Sequence, residues 1–251
     1  MKMTRRQLLA GISGGCAALI AAEAFIEPYM IEQTFLDKSD LSLGKRILHF
    51  SDLHFKGSLD YGRKVVELIN GNKPDLVCFT GDLVEYGSSR YLQQALELFK
   101  AIRAPCYSVL GNHDPGDSQA LEQYERALSA TGGKLLRNER LDLGNFVLHG
   151  VSSIRPLQDK EAKKKILLCH YPAVGNIELE QKYDLILCGH SHGGQVRMPF
   201  FGALIVPWGV GGFVEGYYRA AAGDLYVNRG VGEFLIPIRM FCRPELTEIA
   251  V

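Results

Sequence analysis

The chain has no charge of either sign to spare, with 28 Lys and Arg against 28 Asp and Glu in 251 residues. A net charge of zero gives no long-range field for a phosphate backbone, so no nucleic-acid partner is expected from bulk electrostatics. The sequence also lacks an uncharged apolar run of the ~20 residues that a membrane-crossing helix needs, which excludes a polytopic membrane protein. No Gly-Lys-Ser/Thr follows the glycines at 209, 211, 212 and 216, so that loop is not a nucleotide phosphate loop. Internal repeats are absent, and so is any linker long enough to separate domains. Disorder is excluded as well, because a chain 47% hydrophobic and 22% charged collapses and packs. Its length suits one sizeable domain or two small ones.

What is present begins with a leader. Lys2, Arg5 and Arg6 precede an uncharged stretch over residues 7–22 that is rich in Ala, Gly, Leu and Ile. Paired arginines before a mildly apolar stretch have the form of a twin-arginine signal, and Ala22-Glu23-Ala24 offers the small-residue triplet of a signal peptidase site. Residues 1–24 are therefore expected to act as a twin-arginine signal or membrane anchor. The partners that follow are the twin-arginine export machinery and a membrane surface. The expected location is membrane-associated or periplasmic, with the cytoplasmic face as the alternative if the leader only anchors. Of the six cysteines, Cys78, Cys106, Cys169 and Cys188 sit in short apolar runs, where buried thiols pack as core residues.

The body of the chain alternates strand and helix patterns. Short apolar runs occur at Ile47-Leu48-His49-Phe50, Leu76-Val77-Cys78-Phe79, Tyr107-Ser108-Val109-Leu110, Ile166-Leu167-Leu168-Cys169 and Leu185-Ile186-Leu187-Cys188. Between them, Val65, Val66, Leu68 and Ile69 form one helical stripe, Leu92, Ala95, Leu96, Phe99 and Ile102 a second, and Leu121, Tyr124 and Leu128 a third. The first half thus reads as βαβ units. From about residue 134 the pattern turns to strands and loops, with a hairpin predicted over Leu141 to Leu148, turning on Gly144-Asn145.

Chemistry gathers where the apolar runs end. The endings are Asp52-Leu53-His54, Gly81-Asp82, Gly111-Asn112-His113-Asp114, His170, and Gly189-His190-Ser191-His192, and they hold five of the seven histidines. Carboxyl ends of neighbouring strands open onto a common crevice, so these side chains are expected to converge. Asp52 and His54, like His190 and His192, are expected to share a face of extended backbone. Imidazole, carboxylate and amide oxygen together suit Mn, Fe or Zn, and the set is too large for one tetrahedral ion. Two divalent ions are expected, Mn first among them, with Fe or Zn as alternatives.

The ordered blocks DLH, GDLVE, GNHD, CH and GHSH resemble those of the calcineurin-like metallophosphoesterases over residues 45–251. The later stretches GGQVRMPFFG, NRGVG and CRPELTEI resemble the bacterial membrane-associated or twin-arginine-exported phosphodiesterases of that family, in the neighbourhood of a pyrophosphatase acting on UDP-2,3-diacylglucosamine. The resemblance implies an α/β fold, a four-layer α/β/β/α sandwich of two mixed sheets. It also implies that Asp52, His54 and His192 hold one metal and Asn112, His170 and His190 a second, with Asp82 bridging. His113 would give a proton to the leaving group, oriented by Asp114. The implied function is hydrolysis of a phosphodiester or pyrophosphate, with a lipid-linked nucleotide such as UDP-2,3-diacylglucosamine in lipid A biosynthesis as the specific expectation. Alternatives are a phosphomonoesterase acting on phosphoproteins or sugar phosphates, and a catalytically silent metal-binding protein.

Two further groups carry alternatives. Arg155, Arg197, Arg219 and Arg229 are either phosphate clamps or surface residues. Phe200, Phe201, Leu204, Ile205, Val206, Trp208 and Phe213 form either core or a lip facing lipid.

Overall fold

A computed structural model describes residues 23–85, 89–157 and 162–251. The first sheet is made by β1 (Glu32–Asp37), β2 (Arg46–Phe50), β3 (Leu76–Phe79), β4 (Cys106–Ser108), β5 (Lys134–Leu135) and β14 (Glu245–Ala250), in the order β1-β14-β2-β3-β4-β5. Strands β2 to β5 run parallel, joined by α1 (Leu59–Gly71), α2 (Ser89–Lys100) and α3 (Ser118–Ser129). The three helical stripes read from the sequence fall on these helices except for Ile102, which lies just past the end of α2, and the Asp117 carboxylate caps α3 through the Ala120 N–H at 2.9 Å. The chain's last strand, β14, returns antiparallel to β2 and is flanked by β1.

The second sheet comprises β6 (Glu139–Asp142), β7 (Phe146–Val151), β8 (Lys164–Cys169), β9 (Tyr183–Cys188), β12 (Gly216–Arg219) and β13 (Gly223–Val227), ordered β12-β13-β9-β8-β7-β6. Its inner strands are parallel and both edges are antiparallel. The β6–β7 pair is the hairpin expected around Gly144-Asn145.

Side-chain alternation sets the layers. Leu48 and Phe50 face the helices, whereas Ile47 faces the second sheet. Ile166, Leu168, Leu185 and Leu187 answer Ile47 across the interface, while Leu167, Cys169, Ile186 and Cys188 point outward. That outer face is covered by the 3-10 turn Pro172–Asn176 and by loop residues such as Leu179 and Phe213. The architecture is therefore α/β with two mixed sheets packed face to face, as expected. The remaining histidines are core residues: His49 bonds the Thr80 hydroxyl at 3.0 Å and His149 bonds the Tyr183 hydroxyl at 2.7 Å. Cys78, Cys106, Cys169, Cys188 and Cys242 are buried and free.

Arg5, Arg6, Cys16 and Ala22 lie outside the described residues. The segment that follows is tied down. The Ala24 carbonyl accepts from the Arg239 N–H at 3.0 Å, and the Glu27 carboxylate accepts from the backbone N–H groups of Phe241 and Cys242. Among the described residues no helix is long and apolar enough to cross a membrane.

Candidate metal centre

The five chemical endings meet at one edge of the interface between the sheets. Strands β2, β3 and β4 deliver theirs from the first sheet, β8 and β9 from the second. The local backbone differs from the extended form read in the sequence. Asp52, His54, Asp82, His190 and His192 all have positive φ, between 41° and 68°. Alternation along a strand therefore does not aim these side chains; successive left-handed turns do. Such residues bend the chain sharply at the end of a strand, so that neighbouring side chains wrap around a point instead of lining a face. The strain is held by ladder bonds on either side: Asp52 N–H donates to Gly81 O at 2.9 Å and His54 N–H to Asp82 O at 3.0 Å.

Close approach explains two glycines. A Cβ on Gly189 would stand 1.8 Å from Ser51 Oγ, and one on Gly111 would stand 2.1 Å from Asp82 Oδ1. Backbone therefore packs directly against the carboxylates of Asp52 and Asp82.

The inner atoms form two groups. In the first, Nε2 of His54 and Nε2 of His192 are 3.1 Å apart, and Asp52 Oδ1 is 3.5 Å from the latter. In the second, His170 Nε2 lies 3.0 Å from His190 Nδ1, 3.1 Å from Asn112 Oδ1 and 3.2 Å from Asp82 Oδ2. Asp82 Oδ2 is also 3.4 Å from His54 Nε2, so this one carboxylate touches both groups. Asp52, His54 and His192 could thus hold one ion, and Asp82, His170 and His190 a second. Asn112 adjoins the second group as a neutral oxygen.

Outer contacts fix the rings. His170 Nδ1 faces Thr80 O at 2.7 Å, His190 Nε2 faces Trp208 O at 2.6 Å, and His54 Nδ1 faces Glu85 Oε2 at 3.2 Å. A carbonyl accepts only, so His170 and His190 carry their protons on those outer nitrogens and turn lone pairs inward. Inward lone pairs beside carboxylates are what a divalent cation requires, and the residues fit a pair of such ions. The same crowding shifts protons when only protein groups are counted. Burial would lower His170, but Asp82 outweighs it and pushes the imidazole up to about 10. Burial opposes ionisation of Asp82, yet His170 and His54 hold its carboxyl well below the usual range. Burial and neighbouring imidazoles hold His190 and His192 low.

His113 donates its backbone N–H to Asp82 Oδ1 at 2.8 Å, and its ring lies against His54 and Phe234. Asp114 receives the backbone N–H groups of Asp82, Leu83 and Gly111, each at 2.8 Å. It braces the loops that carry Asp82 and Asn112. The carboxylate beside His113 Nδ1 is that of Glu85, 3.7 Å away. Glu85 went without a role in the sequence, although it stands three residues after Asp82. Burial would raise its pKa, but His54 and Lys56 bring it below the usual value.

A cavity of about 490 Å³ opens over Asp82, Asn112, His113, His190 and His192, and its far wall is apolar, with Leu204, Ile205 and Phe234. Among the described residues no lysine or arginine lines it. Arg229 pairs with Glu245 and Glu32, and Arg197 with Glu215, so neither is free to clamp a phosphate.

Residues 45–194 match the family model of the calcineurin-like phosphoesterases. The chain belongs to that family. It is a metal-dependent phosphoesterase, a hydrolase. It is 33% identical to the uncharacterized metallophosphoesterase YkuE of Bacillus subtilis, over 98% of this chain and 96% of that one. It is 29% identical to the phosphodiesterase YaeI of Escherichia coli, over 80% of each. A transmembrane protein with metallophosphoesterase domain from Danio rerio is 29% identical over 83% of this chain and 53% of its own length. In this phosphoesterase the matched span ends at Gly194, so the apolar cavity wall beyond it lies outside the family model.

Proposed function

We propose that the phosphoesterase cleaves phosphodiesters with two divalent ions, Mn foremost, one held by Asp52, His54 and His192 and the other by Asn112, His170 and His190, with Asp82 shared. The observation that carries this is the contact of Asp82 Oδ2 with His54 and His170 from opposite groups. Two such ions supply a nucleophilic water at neutral pH and neutralise phosphoryl charge. The chain supplies the rest. Asp82 and the inward imidazoles fix the positions of positive charge, the apolar wall excludes water, and His113 at the cavity edge gives a proton to the departing oxygen. Glu85 and Asp114 hold His113 and its loop in place.

The lining favours a diester over a monoester. A phosphodiester carries one negative charge and a monoester two near pH 7, and among the described residues no lysine or arginine lines the cavity to meet the second. The apolar wall supports a substrate with an apolar substituent. A lipid-linked pyrophosphate such as UDP-2,3-diacylglucosamine belongs to that class, but among the described residues the lining offers no lysine or arginine for its second phosphate. Delivery through the twin-arginine leader would place the enzyme at the outer face of a membrane, where such a diester is met.

Turnover of bis-p-nitrophenyl phosphate against p-nitrophenyl phosphate, on metal-loaded protein, tests the reading. The diester is expected to be the better substrate. A preference for the monoester would replace the proposal with a phosphomonoesterase, and turnover of neither would replace it with a silent metal protein.

A further inference from the structure

A run of exposed apolar side chains in the second half begins at the wall of the metal cavity, where Leu204, Ile205 and Leu235 line it, and continues to Phe200, Phe201 and Phe241, which line a second pocket. Phe200, Phe201, Ile205 and Trp208 are each at least 82% exposed, and Leu235 and Phe241 are 61% and 49% exposed. They come from three segments held together by backbone bonds. The hairpin of β10 (Arg197–Met198) and β11 (Gly202–Ala203) carries the two phenylalanines at its tip. Leu204 N–H donates to Val196 O, Arg197 N–H donates to Met240 O, and the Gln195 side chain donates to the carbonyls of Phe234 and Ile236. The lip is thus one built rim.

Its residues are poorly chosen for folding alone. Phe200, Leu235 and Phe241 have φ of 70°, 57° and 52°, a region that disfavours bulky side chains and that Gly or Asn adopts readily. Each accepts backbone strain and leaves its apolar side chain in water. Contiguous exposure of this kind marks a surface made for another phase or partner.

The chain itself indicates which. Residues 1–22, with their basic start and uncharged apolar stretch, join the domain at residues 23–27. There Ala24 bonds to Arg239, and Glu27 bonds to the backbone of Phe241, which belongs to the lip. The first described residues after the leader are therefore tied to the edge of the same rim. A sequence suited to a membrane is thus joined to the domain at a point bonded to the ring of exposed aromatic and aliphatic residues.

We propose that this lip is a membrane-docking surface that seats the cavity mouth on a phospholipid bilayer, with Phe200, Phe201, Ile205 and Trp208 in the headgroup and upper acyl region. Aromatic side chains favour that zone, and shallow insertion needs no transmembrane helix. The idea rests on the diester reading and deepens it, since a bilayer supplies amphiphilic substrates, but its test reads binding and not turnover.

Trp208 is the only tryptophan, so its fluorescence reports on the lip alone. The full chain is titrated with vesicles of phosphatidylcholine and phosphatidylglycerol, some carrying brominated acyl chains. Expected are a blue shift of Trp208 emission and quenching by the brominated lipid. The double variant Phe200→Asn, Phe201→Ser relieves strain at position 200 and is expected to melt no lower than the parent. It should need on the order of tenfold more lipid for the same quenching, the loss of two apolar anchors. Three results would overturn the proposal. One is pelleting with vesicles while Trp208 stays in water, which assigns attachment to the leader alone. Another is Trp208 already shielded from iodide without lipid, which assigns the lip to the leader or to a second copy. The third is no vesicle binding.

Discussion

His54 and His192, 138 residues apart in the chain, point their Nε2 atoms at each other across 3.1 Å. Glu85 beside His54 Nδ1 favours the proton on that outer nitrogen, which leaves a lone pair facing His192. Asp52 adds an oxygen 3.5 Å from the His192 nitrogen. Buried lone pairs and carboxylate oxygens crowded in this way repel one another unless a cation sits among them. Removal of divalent metal by a chelator should therefore lower the melting temperature. For a ligand at a hundred times its Kd the linkage is worth about 2.7 kcal/mol, or roughly 5–10 °C for a domain of this size. Calorimetry with and without chelator, followed by Mn readdition, checks this. An unchanged melting temperature would remove the metal assignment.

Asp82 touches both groups, so Asp82→Asn should cost both ions. A neutral amide cannot balance two dications, and it forfeits the carboxylate oxygen that lies 3.2 Å from His170 and 3.4 Å from His54. Metal analysis should give less than one ion per chain, with turnover lost in parallel. Full occupancy in the variant would show that the groups do not share this residue.

Glu85 acts through His54. Glu85→Gln should weaken metal binding by about 10–100-fold, the usual effect of losing the partner that orients a ligand imidazole. A positioning role predicts that excess Mn restores most of the activity of this variant. Loss that excess metal does not relieve would instead place Glu85 in direct contact with substrate or reacting atoms.

The convergence of the candidate site was legible in sequence because each candidate ligand follows an apolar run by a few residues, and strand ends converge whichever sheet they belong to. The seven ligand candidates are all brought to one edge of the interface. Their aim was not legible. The extended Asp-x-His geometry gives way to left-handed backbone at Asp52, His54, His190 and His192, because bonds such as Asp52 N–H to Gly81 O override local preference. Glu85 and Arg239 were also hidden, since nothing in local spacing shows that a buried guanidinium gathers the carbonyls of Arg229, Gly230, Gly232 and Cys242. Exposure of Phe200 and Trp208 was equally hidden, because an apolar run reads alike whether it faces core or lipid.

His49, which reaches the candidate ligands only through Thr80, supplies a pH prediction. Burial lowers its pKa to about 3, against an ordinary 6.5, with Glu245 acting weakly the other way. A base whose folded pKa is lowered leaves stability intact above 6.5 and removes it as pH falls from 6.5 towards 3, because the unfolded chain takes up the proton first. The slope is about 1.4 kcal/mol per pH unit for one such group. His49→Gln can still bond Thr80 and should flatten the acid limb by that amount. Urea melts of chelator-treated parent and variant at pH 7 and pH 5 compare the two. Parallel limbs would show that His49 is not kept neutral by the fold.

His113 separates proton transfer from metal binding. Its ring sits at the cavity edge against Phe234, and burial together with His54 lowers its pKa while Asp82 raises it. A group that donates to the leaving oxygen should matter in proportion to the basicity of that oxygen. His113→Ala should keep both ions, since the ring is outside the set that converges on Asp82, and should slow an alkyl diester by about 10²–10⁴-fold. A nitrophenyl diester should lose much less, because nitrophenolate leaves without a proton. The parent and the variant are compared on both substrates, with metal content measured on the same samples. Equal losses with both ions in place would take His113 out of the acid role, and loss of metal would make it a ligand.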